Sequence, residues 1–257
     1  MTVAHTHELV FAGTSVVKRY TSWGRGEHVR EWSVLNRVHE HAPHLAPRPL
    51  AADLDAVPPA ITMSAVPGTP LPATPATPQT EALTAALTTL WRTPQRGLAG
   101  VDPWTGDLAF ARALTARPRP AGGVLASAYD AATAWWHGPD PDLLRSPPPA
   151  TVLGHRDPNR DNYLWDGRQI HIVDFEDAAV SDPATELALL MEHLSWRDAD
   201  VGLLRERLPV DGRRLLAARR LWAMFWLHLL LPGGPAVARN PAGTPHHQAN
   251  RVLRLMS

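Results

Sequence analysis

Between residues 8 and 20 the chain reads Glu-Leu-Val-Phe-Ala, then Gly13-Thr14, then Ser-Val-Val-Lys-Arg-Tyr. Two runs of β-branched and aromatic residues about a glycine turn predict a hairpin, with Lys18 on its second strand. Gly24 and Gly26 punctuate the loop that follows. From Glu27 to His41 the apolar residues Val29, Trp32, Leu35 and Val38 recur at three- and four-residue spacing, the period of an amphipathic helix. Pro43, Pro47 and Pro49 end that helix, and two more strands are predicted over 51–55 and 60–66, joined at Pro58-Pro59. These short elements make a small sheet with one helix. Pro67-Gly68 then opens a stretch rich in Pro, Thr and Ala, residues 69–78, which reads as a rigid connector. Beyond it helical periodicity dominates, over 79–91, 123–136, 183–196, 201–208, 212–231 and about 247–255. A different texture interrupts the helices between 151 and 173. There Thr151-Val-Leu153, Tyr163-Leu-Trp165 and Ile170-His-Ile-Val173 predict short strands around a polar loop, with Asp166-Gly167 as a hairpin turn.

Composition narrows the class. With 257 residues the chain holds one bilobal domain or two small ones. A hydrophobic fraction of 44%, 19% charged residues and a formal net charge of zero describe a globular chain. Zero net charge also removes the basic field by which nucleic-acid binders recruit phosphate backbones, so no nucleic-acid partner is expected. The absence of cysteine excludes disulfides, thiolate metal sites and cysteine nucleophiles. The N-terminus lacks the basic-then-apolar pattern of a leader, and the longest apolar stretch, 221–231, is broken by His228 and falls short of the roughly 20 residues a bilayer requires. A cytoplasmic protein with neither a membrane nor an obligate protein partner is expected. The basic residues carry more information: 24 of the 25 are Arg, and the remaining one is Lys18. One Lys retained in so Arg-biased a chain has two readings before context is considered: a place where a compact ammonium serves and a guanidinium does not, or the accidental survival of a surface Lys.

The chemistry concentrates in Leu153-Gly-His-Arg-Asp-Pro-Asn-Arg-Asp-Asn-Tyr-Leu-Trp165 and Ile172-Val-Asp-Phe-Glu-Asp177. Asp157 follows His155-Arg156, Asn162 stands five residues after Asp157, and Asp174-Phe175 follows a β-branched run. Phosphoryl transfer needs a carboxylate that orients the attacking hydroxyl and accepts its proton, a role open to Asp157. It needs oxygen ligands for the Mg²⁺ that bridges the phosphates, and Asp174 with Asn162 would supply one charged and one neutral ligand. A compact ammonium on the α- and β-phosphates would be Lys18. A His-x-Asp-x-x-x-x-Asn turn alone also describes a polar loop that caps a helix. What separates the two readings is order: a strand-borne Lys, a helical Glu31, the loop and the Asp-Phe strand end follow one another as in kinase-like phosphotransferases.

These motifs resemble the aminoglycoside phosphotransferase and choline kinase family, whose loop reads His-x-Asp-x-x-x-x-Asn before an Ile/Val-Asp-Phe/Trp strand end. The resemblance covers about residues 8–194. It implies an α+β, bilobal protein-kinase-like fold, with a small β-rich N-lobe carrying one helix over residues 1–66 and a larger helical C-lobe over 67–257. It implies ATP or GTP with Mg²⁺ as cofactors, metal ligands Asn162 and Asp174, a catalytic Asp157, and Lys18 on the nucleotide. Arg30-Glu31-Trp-Ser-Val-Leu35 is similar to the family's Arg-Glu-x-x-x-Leu and favours Glu31 as the partner of Lys18, with Glu27, one turn earlier, as the fallback. Ile61-Thr-Met-Ser-Ala-Val-Pro-Gly68 resembles the interlobe hinge, with Met63 behind the nucleobase and the backbone from Ser64 to Val66 at its edge. Arg160, three residues after Asp157, is a candidate for stabilising charge on the moving phosphoryl group. Asp182-Pro183-Ala184 resembles a family motif, although helix capping alone would account for Asp182. It follows Asp174 so soon that no peptide-docking segment fits, so the acceptor should be a small hydroxylated molecule, an antibiotic or a related natural product.

Two departures stand out. The glycine-rich turn that covers the phosphates in this fold should fall at residues 1–5, which hold no such turn, and Gly13-Thr14-Ser15 is too close to Lys18 to be its equivalent. Arg156 stands where small-molecule members have Gly. A catalytically silent kinase-like binding protein is therefore the alternative. A metal-dependent hydrolase on the same cluster leaves Lys18 and Glu31 without a role. For the acceptor, Glu192, Asp198, Asp200 and Glu206 are acidic candidates interleaved with arginines, and Trp104, Trp135, Trp136, Trp196, Trp222 and Trp226 could wall a less charged or quaternary-ammonium acceptor. The histidine pairs 5/7 and 39/41 lack a zinc-like spacing.

Overall fold

The computed structural model describes residues 7–99 and 107–257. Strands β1 (Glu8–Ala12) and β2 (Ser15–Arg19) lead to helix α1 (Glu27–His41), β3 (Pro49–Asp53), β4 (Ala60–Ser64) and β5 (Thr69–Pro70). Helices α2 (Thr77–Arg92), α3 (Asp107–Thr115), α4 (Gly123–Trp135) and α5 (Asp140–Arg145) follow. Strands β6 (Val152–Gly154), β7 (Tyr163–Trp165), β8 (Ile170–Ile172) and β9 (Ala179–Ser181) come next, then α6 (Pro183–Glu192), α7 (Gly202–Arg207), α8 (Gly212–Leu230) and α9 (Thr244–Met256). The result is a mixed α+β chain, with an antiparallel sheet near its start and helices towards its end. Among the described residues no helix is long and apolar enough to cross a membrane.

The chain divides into two compact units, one drawn from the chain up to Pro103 with Thr151–Ser181 and Asp198–Leu208, the other from Trp104–Ala150, Asp182–Arg197 and Pro209–Ser257. The first holds a four-stranded antiparallel sheet in the order β1-β2-β4-β3. Its hairpin is in register from Glu8 opposite Arg19 to Ala12 opposite Ser15, and β2 continues onto β4 with Ser15 opposite Ser64 and Lys18 opposite Ile61. The Thr14 carbonyl accepts a hydrogen bond from Ala65 N–H (2.8 Å), so the Gly13-Thr14 turn lies at the end of the sheet where β4 leaves it. Helix α1 buries a different stripe from the one its apolar period predicts. Val34, Leu35 and Val38 are inside, but so are Glu27, His28 and Glu31, while Val29 and Trp32 are half-buried. The stripe is rotated because two carboxylates are buried against partners: Glu27 accepts from the N–H and Nε of the exposed Arg25, and Glu31 meets the buried Lys18.

In the same unit, β5, β7 and β8 form a three-stranded sheet and β6 pairs with β9. The connector of residues 69–78 thus contributes a strand, and α2 begins within it at Thr77. Gly68 makes this possible. Its φ is +117°, and a Cβ there would stand 2.8 Å from the carbonyl carbon and oxygen of Trp165. The β7–β8 turn is the expected Asp166-Gly167 hairpin, with Asp166 Oδ1 accepting from the amides of Arg168 and Gln169 (2.8 Å each).

The second unit is helical. Its core joins Ala128, Ala132 and Trp135 of α4 with Leu221, Met224 and Leu227 of α8 and Val252 and Leu255 of α9. Asp182 caps α6 by accepting from the amides of Ala184 and Thr185 (3.1 Å each), and Arg214 Nε lies 3.2 Å from its other oxygen. Helix α6 ends at Glu192, ahead of the predicted 196, because a 3-10 turn takes over at Leu194–Trp196. Helices α3 and α5, nine and six residues long, escape the periodicity reading because neither spans enough turns to show a period.

Candidate active site

The site lies in the first unit. Strand β2 carries Lys18 inward, 4% exposed, and its ammonium touches three carboxylates: Glu31 at 2.7 Å, Asp174 at 2.5 Å and Glu176 at 2.8 Å. Burial alone would lower its pKa, but Glu31, Asp174 and Glu176 together hold it well above the usual lysine value. Glu31, 1% exposed, also accepts from the Tyr20 hydroxyl (2.5 Å) and from the Phe175 amide (3.3 Å). Burial beside this carboxylate pushes the Tyr20 hydroxyl far up, so it stays a donor. Glu31 is therefore the partner of Lys18, and Glu27 is bound to Arg25.

Asp174 has a φ of +68°, a left-handed backbone that Asp tolerates better than most residues. Burial would raise its pKa, yet Lys18 brings it below the ordinary carboxylate range. Two residues on, Glu176 behaves oppositely. Burial outweighs Lys18 and, with the Asp174 charge beside it, pushes the Glu176 carboxyl up to about 7. Arg30 Nη1 donates to the Glu176 carbonyl, which ties α1 to this segment.

The catalytic-loop candidates assemble on the other side of His155. Its ring nitrogens lie 2.8 Å from the Asp157 carbonyl and 2.9 Å from the Val173 carbonyl, so one buried imidazole spans the loop and the strand end that bears Asp174. Asn162 Nδ2 donates to Asp157 Oδ2 (2.9 Å) and the Asn159 amide donates to Asp157 Oδ1 (3.1 Å). With its nitrogen so engaged, Asn162 is a residue whose Oδ1 could ligate a cation. Val173 N–H donates to the Asn162 carbonyl (3.0 Å) and fixes the spacing of the two segments.

A cavity of about 420 Å³ brings these groups together. Its apolar lining includes Leu9, Phe11, Val16 and Met63 with Leu164 and Val173, and its polar lining includes Lys18, Glu31, Asp157, Asn162, Asp174 and Glu176. Ser64 and Val66 line it too, so all three hinge candidates reach the same space. Leu9 and Phe11 are opposite Lys18 and Val16 in the hairpin, hence on one face of the sheet. Arg160, half-buried on the 3-10 turn Arg160–Asn162, does not line the cavity. The oxygen-only pair Asp174 and Asn162 suits a hard divalent cation such as Mg²⁺. Among the described residues, Glu31, Asp174 and Glu176 form the cluster whose ligand atoms lie within 4.8 Å of one another, and no histidine joins it.

Arg156 becomes intelligible in part. Its φ is +68°, the region that Gly occupies without cost, so Arg here holds a backbone strained by roughly 1–2 kcal/mol. The side chain is buried, with Nη1 3.5 Å from Ser181 Oγ. The acidic acceptor candidates fare differently. Glu192 is buried between Arg219 (2.7 Å) and Arg251 (2.7 Å), and Asp200 caps the Gly202 amide (2.9 Å). Asp198 and Glu206 are exposed. Of the tryptophans, Trp135, Trp196 and Trp222 are core residues, and Trp104 lies outside the described residues, as do 1–5, where the glycine turn would fall.

The model of a phosphotransferase enzyme family matches residues 13–224. The chain belongs to that family. Membership implies kinase activity, and the solved structures that resemble the chain share its protein-kinase-like fold. A choline/ethanolamine kinase family protein from Mesorhizobium loti superposes with a TM-score of 0.67 at 18% identity, covering 98% of this chain and 85% of that one. Aminoglycoside 2'-phosphotransferase-IIIa, solved as a GDP complex, gives 0.65 at 16% identity, covering 100% and 91%. The choline kinase LicA from Streptococcus pneumoniae gives 0.61 at 13% identity, covering 98% and 89%. No curated protein sequence matches the chain significantly. Two residues of the cluster escape the sequence reading. Glu176 follows the Asp-Phe pair and reads as one more acid in an acidic run. His7, which lies 2.7 Å from Glu176, belongs to no pattern.

Proposed function

We propose that the protein transfers the γ-phosphoryl group of ATP or GTP to a hydroxyl of a small molecule. The observation that carries this reading is one ammonium, Lys18, held by Glu31 of α1 and Asp174 of the Asp-Phe segment, in a cavity shared with the Asp157–Asn162 pair. Asp157, oriented by the Asn159 amide and Asn162, accepts the proton of the attacking hydroxyl. Asn162 and Asp174 hold Mg²⁺, which when bound neutralises charge on the phosphates. Lys18, positioned by Glu31, meets the α- and β-phosphates. The apolar lining by Leu9, Phe11, Val16 and Met63 receives the nucleobase, with the backbone from Ser64 to Val66 at its edge. Arg160 is at most a contributor from outside the cavity.

The acceptor is a hydroxylated antibiotic or related natural product that is not strongly cationic. In the helical unit Asp130, Asp140, Asp142, Asp182 and Glu192 each pair with an arginine and Asp211 caps α8, so none of these carboxylates stands apart from a donor as a site for a polycation. One observation favours the silent reading: three carboxylates already engage Lys18. The test is thermal stability with ATP or GTP, each with and without Mg²⁺, followed by ADP or GDP release in the presence of hydroxylated acceptors. Stabilisation that needs both nucleotide and metal, with acceptor-dependent release, is expected. Stabilisation without turnover on any acceptor would establish the silent reading, and no stabilisation at millimolar nucleotide would refute both.

A further inference from the structure

We infer that His7 is a positioning residue of the phosphate site, holding Glu176 so that Lys18 is free to meet the nucleotide. This rests on the phosphotransferase reading above. The hairpin register places the Gly13-Thr14 turn beside Ala65, at the hinge end of the sheet. The opposite end of β1, where the chain enters at His7, therefore stands over Lys18 and Glu176.

His7 is 7% exposed and its ring lies 4.7 Å from that of Tyr20. Its Nδ1 accepts a hydrogen bond from the Thr21 amide (3.1 Å), which leaves the ring proton on Nε2. Nε2 lies 2.7 Å from Glu176 Oε2, the oxygen that Lys18 also reaches, although its N–H is not aligned on that oxygen, and among the described residues it makes no aligned hydrogen bond. For the Lys18 ammonium to turn to a phosphate, one of its three carboxylates must let go. Glu31 is sealed and held by Tyr20 and Phe175 as well, and Asp174 is needed for the metal. Glu176 is the one that can be released, because His7 Nε2, buried and with no aligned hydrogen bond of its own, stands 2.7 Å from it as a second donor. Without that donor the Glu176 side chain has, among the described residues, only Lys18 and competes with the nucleotide for it.

The experiment is titration of the full chain with Mg·ADP and Mg·GDP, comparing wild type with His7→Phe, His7→Asn, His7→Gln and Glu176→Gln. Gln places an amide N–H near Nε2, whereas Asn keeps an acceptor for Thr21 but falls short of Glu176, so Asn tests the idea should Phe fail to fold. Loss of one donor to a charged group predicts binding weaker by about tenfold in His7→Phe and His7→Asn. His7→Gln should stay within about twofold of wild type on the same principle, and His7→Asn should add nothing in a Glu176→Gln background. Wild-type affinity in His7→Asn, equal losses in Asn and Gln, or a full extra loss in the Glu176→Gln background would overturn the inference. Failure of the wild type to bind either nucleotide would instead refute the phosphotransferase reading, and the inference with it.

Discussion

Replacing Lys18 by Met keeps the length of the side chain and removes its charge from among Glu31, Asp174 and Glu176. Asp174, whose side chain is 37% exposed, can turn to water, so the penalty falls on Glu31 and Glu176, at 1% and 13%. Breaking a buried ion pair by removing one partner costs about 3–5 kcal/mol, because a charge remains without a counter-ion. Loss of the Lys18 charge removes what lowers the Glu176 pKa, already about 7 against an unfolded 4.5, so this carboxylate can escape the cost by taking up a proton. A carboxylate with a raised folded pKa binds more protons folded than unfolded, so stability falls as pH rises from the unfolded pKa. Each tenfold rise in a group's proton affinity on folding is worth about 1.4 kcal/mol.

The Lys18→Met variant should therefore lose about 3–5 kcal/mol at pH 8 and markedly less at pH 5, read by urea unfolding without nucleotide. Adding Glu31→Gln to Lys18→Met removes the buried charge and should recover a large part of the loss at pH 8, a coupling that distant sites would not show. An equal loss at both pH values, or no recovery in the double variant, would refute the argument that uncompensated glutamate charge is what Lys18 offsets.

Asp157→Asn should leave Mg·nucleotide binding within about threefold of wild type and lower acceptor-dependent ADP release by about 10²–10⁴, the usual contribution of a positioned base. Glu176, with its folded pKa of about 7 above the unfolded 4.5, should make nucleotide-free wild type lose stability as pH rises through that window and level off above it. In Glu176→Gln that fall, at most about 3 kcal/mol, should be absent from Tm measured against pH. Gly68→Ala should lower Tm clearly, since the new Cβ would stand 2.8 Å from the Trp165 backbone at a φ of +117°. An unchanged Tm would show that β5 and β7 can move apart freely.

How far the sequence discloses the site depends on how local each relation is. Asp157, Asn162 and Asp174 are legible because a loop and a strand end carry them at short fixed spacing, and Lys18 because it is unique. Placing a strand and the next helix leaves both Glu27 and Glu31 open as partners of Lys18; the family resemblance favours Glu31, and the ion pair decides it. Glu176 is not legible. Its meaning comes from Lys18, 158 residues away, and from a burial that composition does not report. The α1 period misleads for a related reason: a carboxylate with a cation waiting inside is as well buried as a valine, so the apolar residues alone no longer mark the inner face. The hairpin turn is the instructive case. Gly13-Thr14 announces a turn but not which end of the sheet it occupies, and that is settled by the register of β2 on β4. Once the turn is placed beside Ala65, His7, a histidine with no motif of its own, stands at the opposite end of β1, 2.7 Å from Glu176.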